Sequence, residues 1–239
     1  MGTLRDLWPL TGLVVRTPRI ELRWPDDDAL VALAELGAGG VHPDDDMPFM
    51  TPWTRGEPVE VSRRVLQWHW GCRGRWTPEA WIWNPVVTVD GQVVGSQGMN
   101  GDDFAVRRTV STGSWLGRRH QGRGIGTEMR AAILHLAFAG LGAERAETGA
   151  FEDNEASLTV TRRLGYRESG DEILASDGRR RRVVSFALSR AQWEQGRRHD
   201  IGIEGLAPCL PLFGADAMAA AVAGGGQGPG QVEPVQPGG

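Results

Sequence analysis

The rhythm of apolar and polar residues changes several times along the chain, and each change predicts an element. Residues 13–24 alternate and predict a first strand, closed by Pro25. Asp26, Asp27 and Asp28 then open a helix through Leu36, because acidic side chains suit the positive end of the helix dipole; Gly39 and Gly40 stop it. Pro43, Pro48 and Pro52, with Asp44, Asp45 and Asp46 among them, forbid regular structure over 41–54. Val61, Val65 and Trp68 share one face of a second helix over 57–71. A strand over 81–89 turns at Asp90-Gly91 into another over 92–99, and a turn at 100–103 leads to a strand over 106–116. Gly113 within it marks a bulge.

Met129, Ile133, Leu136, Ala137 and Leu141 recur on one face, predicting a long helix that ends near Gly142. A strand over 145–151 should lie parallel to the one before that helix, joined by a right-handed crossover. Asn154 is a good N-cap for the next helix, on which Ala156, Val160 and Leu164 form an apolar face and Ser157 and Thr161 share the neighbouring one. Residues 170–177 and 182–188 predict a closing hairpin with an arginine run between its strands, then a short helix over 191–197 and a compact extension over 201–213.

The segment between the 106–116 strand and the long helix carries chemistry. Gly122, Gly124 and Gly126 alternate just before the helix, which lets the backbone turn tightly and aim successive N–H groups at an anion. It is not a dinucleotide fingerprint, because Thr127 stands where the third glycine belongs, nor a P-loop, because the chain contains no lysine. The pattern that fits is Gln-x-x-Gly-x-Gly, with Gln121, Gly124 and Gly126 in its fixed places.

Length and composition allow one domain over 1–214, with a Gly/Pro-rich tail over 215–239 expected to be disordered. A net charge of −4 with arginines spread along the chain argues against nucleic-acid binding. Cys72 and Cys209 make neither a disulfide framework nor a metal motif. The first residues lack the apolar core of a signal peptide and no run approaches about 18 apolar residues, so a cytoplasmic protein that does not enter a membrane is expected.

The glycine pattern, in its place between strand and helix, resembles the pyrophosphate loop of the GNAT superfamily of acyl-CoA-dependent N-acyltransferases. A second block strengthens the resemblance: Asn154, Ser157 and then Leu164-Gly165-Tyr166 match the family's motif around its fourth helix. The family often places a tyrosine acid where Thr161 stands here. The subgroup resembling ribosomal-protein N-terminal acetyltransferases uses a serine at the position of Ser157 instead. Further blocks, from Val41-His42-Pro43 to Pro211-Leu212-Phe213-Gly214, look like a mycobacterial member described as a succinyl-CoA transferase.

The resemblance implies a GNAT fold: an α/β (α+β) domain with a mixed, twisted sheet of about seven strands and helices on both faces. That sheet opens between the family's strands 4 and 5. Acetyl-CoA or succinyl-CoA would be the donor, held by Trp115, Leu116, Gln121, Gly122, Arg123, Gly124, Ile125, Gly126 and Thr127, with Asn154 and Ser157 beside the thioester. A primary amine, on a small molecule, a protein N-terminus or a lysine, would attack directly in a ternary complex. Backbone N–H groups near Trp115 and Leu116 would stabilise the oxyanion, and Ser157 would protonate the thiolate. Asp102, Glu147 and His120 are open candidates for the base. Phe49 and Trp53 are expected to wall the acceptor pocket, with Asp44, Asp45 and Asp46 drawing the amine and one or two tryptophans from 68–83 adding area. Arg108, with Arg107, is the candidate cation for a succinyl carboxylate. No metal is expected, and a homodimer is left open. The alternative is a non-catalytic acyl-CoA sensor or assembly partner.

Overall fold

The computed structural model describes residues 2–198 and 200–215. The expected disordered tail lies outside the described residues, apart from Ala215, which is buried and donates its N–H to Leu210 O.

After a short helix α1 (Leu4–Leu7), strands β1 (Val14–Arg16) and β2 (Glu21–Arg23) form a hairpin. One strand was expected here. Pro18 lacks a ladder donor, and the Thr17 hydroxyl accepts from the N–H groups of Arg19 and Ile20, so the chain folds back at that point. Helix α2 (Asp27–Ala38) starts as expected, with the Asp26 carboxylate accepting from Ala29 N at 2.8 Å. Helix α3 (Pro58–Gly74) buries Val61, Val65, His69 and Cys72. The expected Trp68 is turned outward and 52% exposed, because the buried stripe follows i, i+4, i+8 and passes it by.

The strand expected over 81–89 is also two: β3 (Ala80–Trp83) and β4 (Val86–Val89), parted at Asn84-Pro85 and both paired antiparallel to the long β5 (Gln92–Asp102). A short helix α4 (Phe104–Arg107) precedes β6 (Thr109–Leu116), where a strand starting at 106 was expected. Helix α5 (Ile125–His135) continues through a π-turn, Leu136–Gly140, and all five residues expected on its apolar face are buried. Next come β7 (Arg145–Phe151), α6 (Glu155–Arg163), the hairpin β8 (Arg167–Ser176) and β9 (Arg179–Ser189), α7 (Arg190–Gly196) and β10 (Gly202–Glu204). On α6 the buried residues are Leu158 and Thr161, while Ala156 is exposed. The arginine run belongs to β9 and not to the turn, which is Asp177-Gly178.

Among the described residues one sheet of ten strands runs in the order β10-β1-β2-β4-β5-β6-β7-β9-β8, with β3 also on β5. The count exceeds seven because two expected strands divide and the C-terminal extension adds β10 beside β1. The larger core packs α5 on one face, and a smaller cluster packs α2 and α3 on the other.

The feature that positions the site is the sole parallel pair among these strands. β6 and β7 pair only from Thr109/Arg145 to Ser111/Glu147, then diverge. Beyond Ser111, β6 stays in unbroken register with β5, Gly98 opposite Gly113, so the bulge expected at Gly113 is absent. Where the ladder ends, side chains bridge the two strands. Thr148 Oγ1 donates to Thr112 O at 2.9 Å, and Thr112 Oγ1 donates to Glu147 O at 3.3 Å.

Candidate active site

The V between β6 and β7 opens toward the glycine loop. Gly122 and Gly124 both have positive φ (73° and 78°), the conformation that glycine adopts without penalty. The first helical donor spent internally is Glu128 N, on Gly124 O at 3.1 Å. From Gly122 to Thr127 no backbone N–H donates to an acceptor among the described residues. This row of free donors stands at the positive end of α5, with Arg19, His120, Arg123 and Ile125 around an adjoining hollow of about 350 Å³. Gln121 shapes the entrance: its Nε2 donates to Val41 O at 2.7 Å and Leu116 O at 2.9 Å.

A buried carboxylate braces the cradle from behind. Glu128, 3% exposed, accepts from Thr17 Oγ1 at 2.6 Å and Arg19 Nε at 2.7 Å, and Arg19 Nη1 donates onward to Arg123 O at 3.3 Å. Only the fold brings Arg19 to a loop a hundred residues away. Arg19→Ala is expected to cost roughly 1.5–3 kcal/mol, the scale of a hydrogen bond to a charged group. A denaturant melt checks this, and unchanged stability would mean that Arg198, 3.8 Å from Glu128, suffices.

Ladder alternation decides which donors face the V. Gly117 N–H donates to Val94 O, so Trp115 and Gly113 direct their N–H groups to β5, while those of Ser114 and Leu116 point away from it. Of the two residues expected near the oxyanion, Leu116 turns its N–H into the V and Trp115 turns its N–H to β5. The Trp115 side chain instead packs tilted against Trp53 with ring centroids 5.2 Å apart, and Trp53 against Phe49 at 5.1 Å. These three rings wall a cavity of about 770 Å³ whose lining includes Trp68, His69, Asn84, Ser96, Gly113 and Ser114. The irregular 41–54 segment forms that wall by spanning the V. It meets β6 through Trp53, while Ser176 Oγ donates to Met50 O and Arg181 Nη1 to Met47 O, each at 3.1 Å.

On the far side, Asn154 Oδ1 accepts from Ser157 N at 3.1 Å and Asn154 Nδ2 donates to Pro48 O at 3.4 Å. A Cβ on Gly126 would lie 3.8 Å from Val160, so α6 packs beside the start of α5, with Ser157 one turn before that contact. Thr161 is 1% exposed and sealed from the opening.

Several expected residues fall elsewhere. Arg108 has left-handed backbone, holds its guanidinium over Phe104 and gives its carbonyl to Glu144 N and Arg145 N. It sits at the opposite end of β6 from the cradle, five residues or about 16 Å before Gly113, and outside the cavity lining. Asp44, Asp45 and Asp46 are exposed and likewise outside it, as are Asp102, Glu147 and His120. His69 lines the cavity, and burial beside Arg73 lowers its pKa to about 4, which leaves a neutral imidazole at neutral pH. Burial raises the Cys72 thiol. A larger open cleft of about 1100 Å³ runs along α2 to Arg118 and Arg119, but it contains neither the free loop donors nor the V.

A mixed sheet thus opens at its parallel pair, with the glycine loop and its free donors at the opening. Residues 19–167 match the family model described as Acetyltransferase (GNAT) domain, and the chain belongs to that family. It is 29% identical over 107 residues to the putative ribosomal N-acetyltransferase YdaF of Bacillus subtilis (strain 168). That match covers 44% of this chain and 58% of the relative, so the chain spans little more than half of the relative's length. A solved structure of RimL, a ribosomal L7/L12 alpha-N-protein acetyltransferase with coenzyme A, has a TM-score of 0.56 at 20% identity, covering 74% of this chain and 97% of that one. Mycobacterium smegmatis RimJ with CoA-disulfide has a TM-score of 0.56 at 20% identity, covering 89% and 95%. Both likenesses support the fold. No helix among the described residues is long and apolar enough to cross a membrane.

Proposed function

We propose that this chain transfers an acyl group from acyl-CoA to a primary amine, by direct attack in a ternary complex. The observation that carries the reading is the row of free N–H groups from Gly122 to Thr127, which leads into the V between β6 and β7. Those donors and the flanking Arg123 fit a diphosphate, and the unpaired edges of the V fit an extended amide chain. Acyl-CoA supplies the activated thioester. Leu116 N–H is positioned to receive charge developing on the carbonyl oxygen. Ser157 supplies a proton to the departing sulfur; a free thiol near pKa 8.5 needs only modest help. The acceptor enters through the aromatic cavity. No carboxylate lines it among the described residues. With a pKa of about 4, the His69 imidazole is too weak a base for an ammonium, so the amine arrives neutral or gives its proton to water. The names of the relatives make ribosomal-protein N-termini the first acceptors to try.

A succinyl donor needs a cation, and the cavity offers two. Arg64 is engaged, donating to Trp53 O at 2.8 Å and to Arg55 O, with Glu60 3.5 Å away. Arg75 makes no ion pair or side-chain hydrogen bond among the described residues and is the free one. It replaces Arg108 as the carboxylate's partner in this proposal. Thiol release from acetyl-CoA and succinyl-CoA, with a panel of amines and N-terminal peptides, tests both levels. If succinyl is the donor, Arg75→Ala should weaken succinyl-CoA by roughly 10- to 100-fold while sparing acetyl-CoA, the scale of a charge-assisted contact. Equal use of both donors before and after mutation makes plain acetyl transfer the better reading. Thermal stabilisation by CoA without thiol release across the panel would favour a sensor.

A further inference from the structure

Helix α5 carries a positive charge into the core. Arg130 is 4% exposed; its Nη2 donates to Ser114 Oγ at 3.0 Å and its Nη1 to Thr148 Oγ1 at 3.3 Å. Its Nε is buried and has no partner among the described residues, and no carboxylate there pairs with it. Beside these hydroxyls of β6 and β7, its one titratable neighbour is the buried Tyr166, whose hydroxyl hydrogen-bonds with the guanidinium and lies 3.5 Å from Thr112 Oγ1. Burial raises the Tyr166 phenol above its ordinary value, so it stays neutral and offers no counter-charge. A buried cation held only by neutral hydroxyls destabilises a fold, and an apolar residue of similar volume is commonly neutral or stabilising in its place.

The location explains the charge better than stability does. Ser114 and Thr148 lie on the two strands just past their last backbone pair, Ser111/Glu147, so the guanidinium spans the apex of the V. In the proposed transfer, on which this inference rests, the amine nitrogen bonds to the carbonyl carbon and the C–S bond breaks. The electron pair leaves on sulfur, and the nitrogen's proton passes to water. Negative charge therefore builds in the V. We infer that Arg130 is a positioning residue that sets a positive potential at the apex of the V and so favours the departing thiolate.

Binding of CoA and desulfo-CoA, measured by calorimetry on the full chain, tests this without an acceptor. Near pH 9, where a positive potential would hold bound CoA as its thiolate, wild type should favour CoA by about tenfold, and near pH 6 by little. Arg130→Met should lose that high-pH preference, keep its desulfo-CoA affinity and melt at or above the wild-type temperature. Arg130→Lys should retain part of the preference. Wild type binding both nucleotides with no preference, or Arg130→Met keeping it in full, would overturn the inference and leave the cradle intact. A clear drop in the melting temperature of Arg130→Met would make Arg130 a structural clasp and overturn it equally. Wild type binding neither nucleotide would instead remove the acyl-CoA reading itself.

Discussion

Gly126→Val abolishes detectable CoA binding, and the protein stays folded. Gly126 is the second residue of α5 and, unlike Gly124, has no positive φ. A Cβ there would meet only Leu116 Cδ1 and Val160 Cγ2, both at an ordinary 3.8 Å. The fold therefore does not need glycine at this position, and Gly126→Ala should even gain roughly 0.5–1 kcal/mol of helix stability. What needs the space is the ligand, because a branched side chain on the first turn stands where a phosphate must approach the N–H groups. Gly124 behaves differently: its φ of 78° strains any other residue by about 1–2 kcal/mol, so loss of binding there mixes backbone strain with blockage. Calorimetry beside a thermal melt separates the two variants. A Gly126→Val protein that binds CoA normally would end the loop assignment.

Ser157→Ala lowers turnover by about 10- to 1,000-fold at nearly constant CoA affinity, the scale on which a positioned acid contributes. Its N–H is already held by the Asn154 cap, while its hydroxyl makes no hydrogen bond among the described residues and is free for another role. Thr161, standing where relatives are expected to carry a tyrosine, is sealed in the core and cannot substitute. Steady-state rates at saturating donor decide the matter. An unchanged rate would reduce Ser157 to a helix-start residue, with water protonating the sulfur.

Local patterns made the fold legible where one chain segment suffices. The apolar face from Met129 to Leu141, the Asp26 and Asn154 caps and the Asp90-Gly91 turn all depend on near neighbours, and all are present. Errors gathered where a proline or a tertiary contact decided. Pro18 and Pro85 lie beside the breaks that divided two expected strands, and α3 buries Val61 and Val65 as expected but His69 in place of Trp68. The candidate site divides in the same way. The cradle was readable because it is contiguous, and Phe49 and Trp53 were readable as bulk in a loop. Arg19 and Glu128 were not, since their meaning lies in partners far along the chain, nor was Arg75, which only the fold brings to the cavity. Arg130 did leave a signal: it stands among Met129, Ala131, Ala132 and Ile133, where a lone charge in an apolar run must be either solvated or deliberately buried. Arg108 misled because nearness in sequence to the V's strand was taken for nearness to its open end, and a strand carries its first residue well away from its last.

The most direct measurement follows the acyl group itself. Purified protein, acetyl-CoA and an N-terminal peptide or amine are incubated together, and the intact masses of protein and acceptor are read beside thiol release, for wild type and Gly126→Val. Direct transfer through the cradle predicts one acetyl group on the acceptor per thiol released, no acetyl adduct on the protein when the acceptor is left out, and neither product with Gly126→Val. An acetylated protein formed without acceptor, or wild-type yield from Gly126→Val, would contradict it.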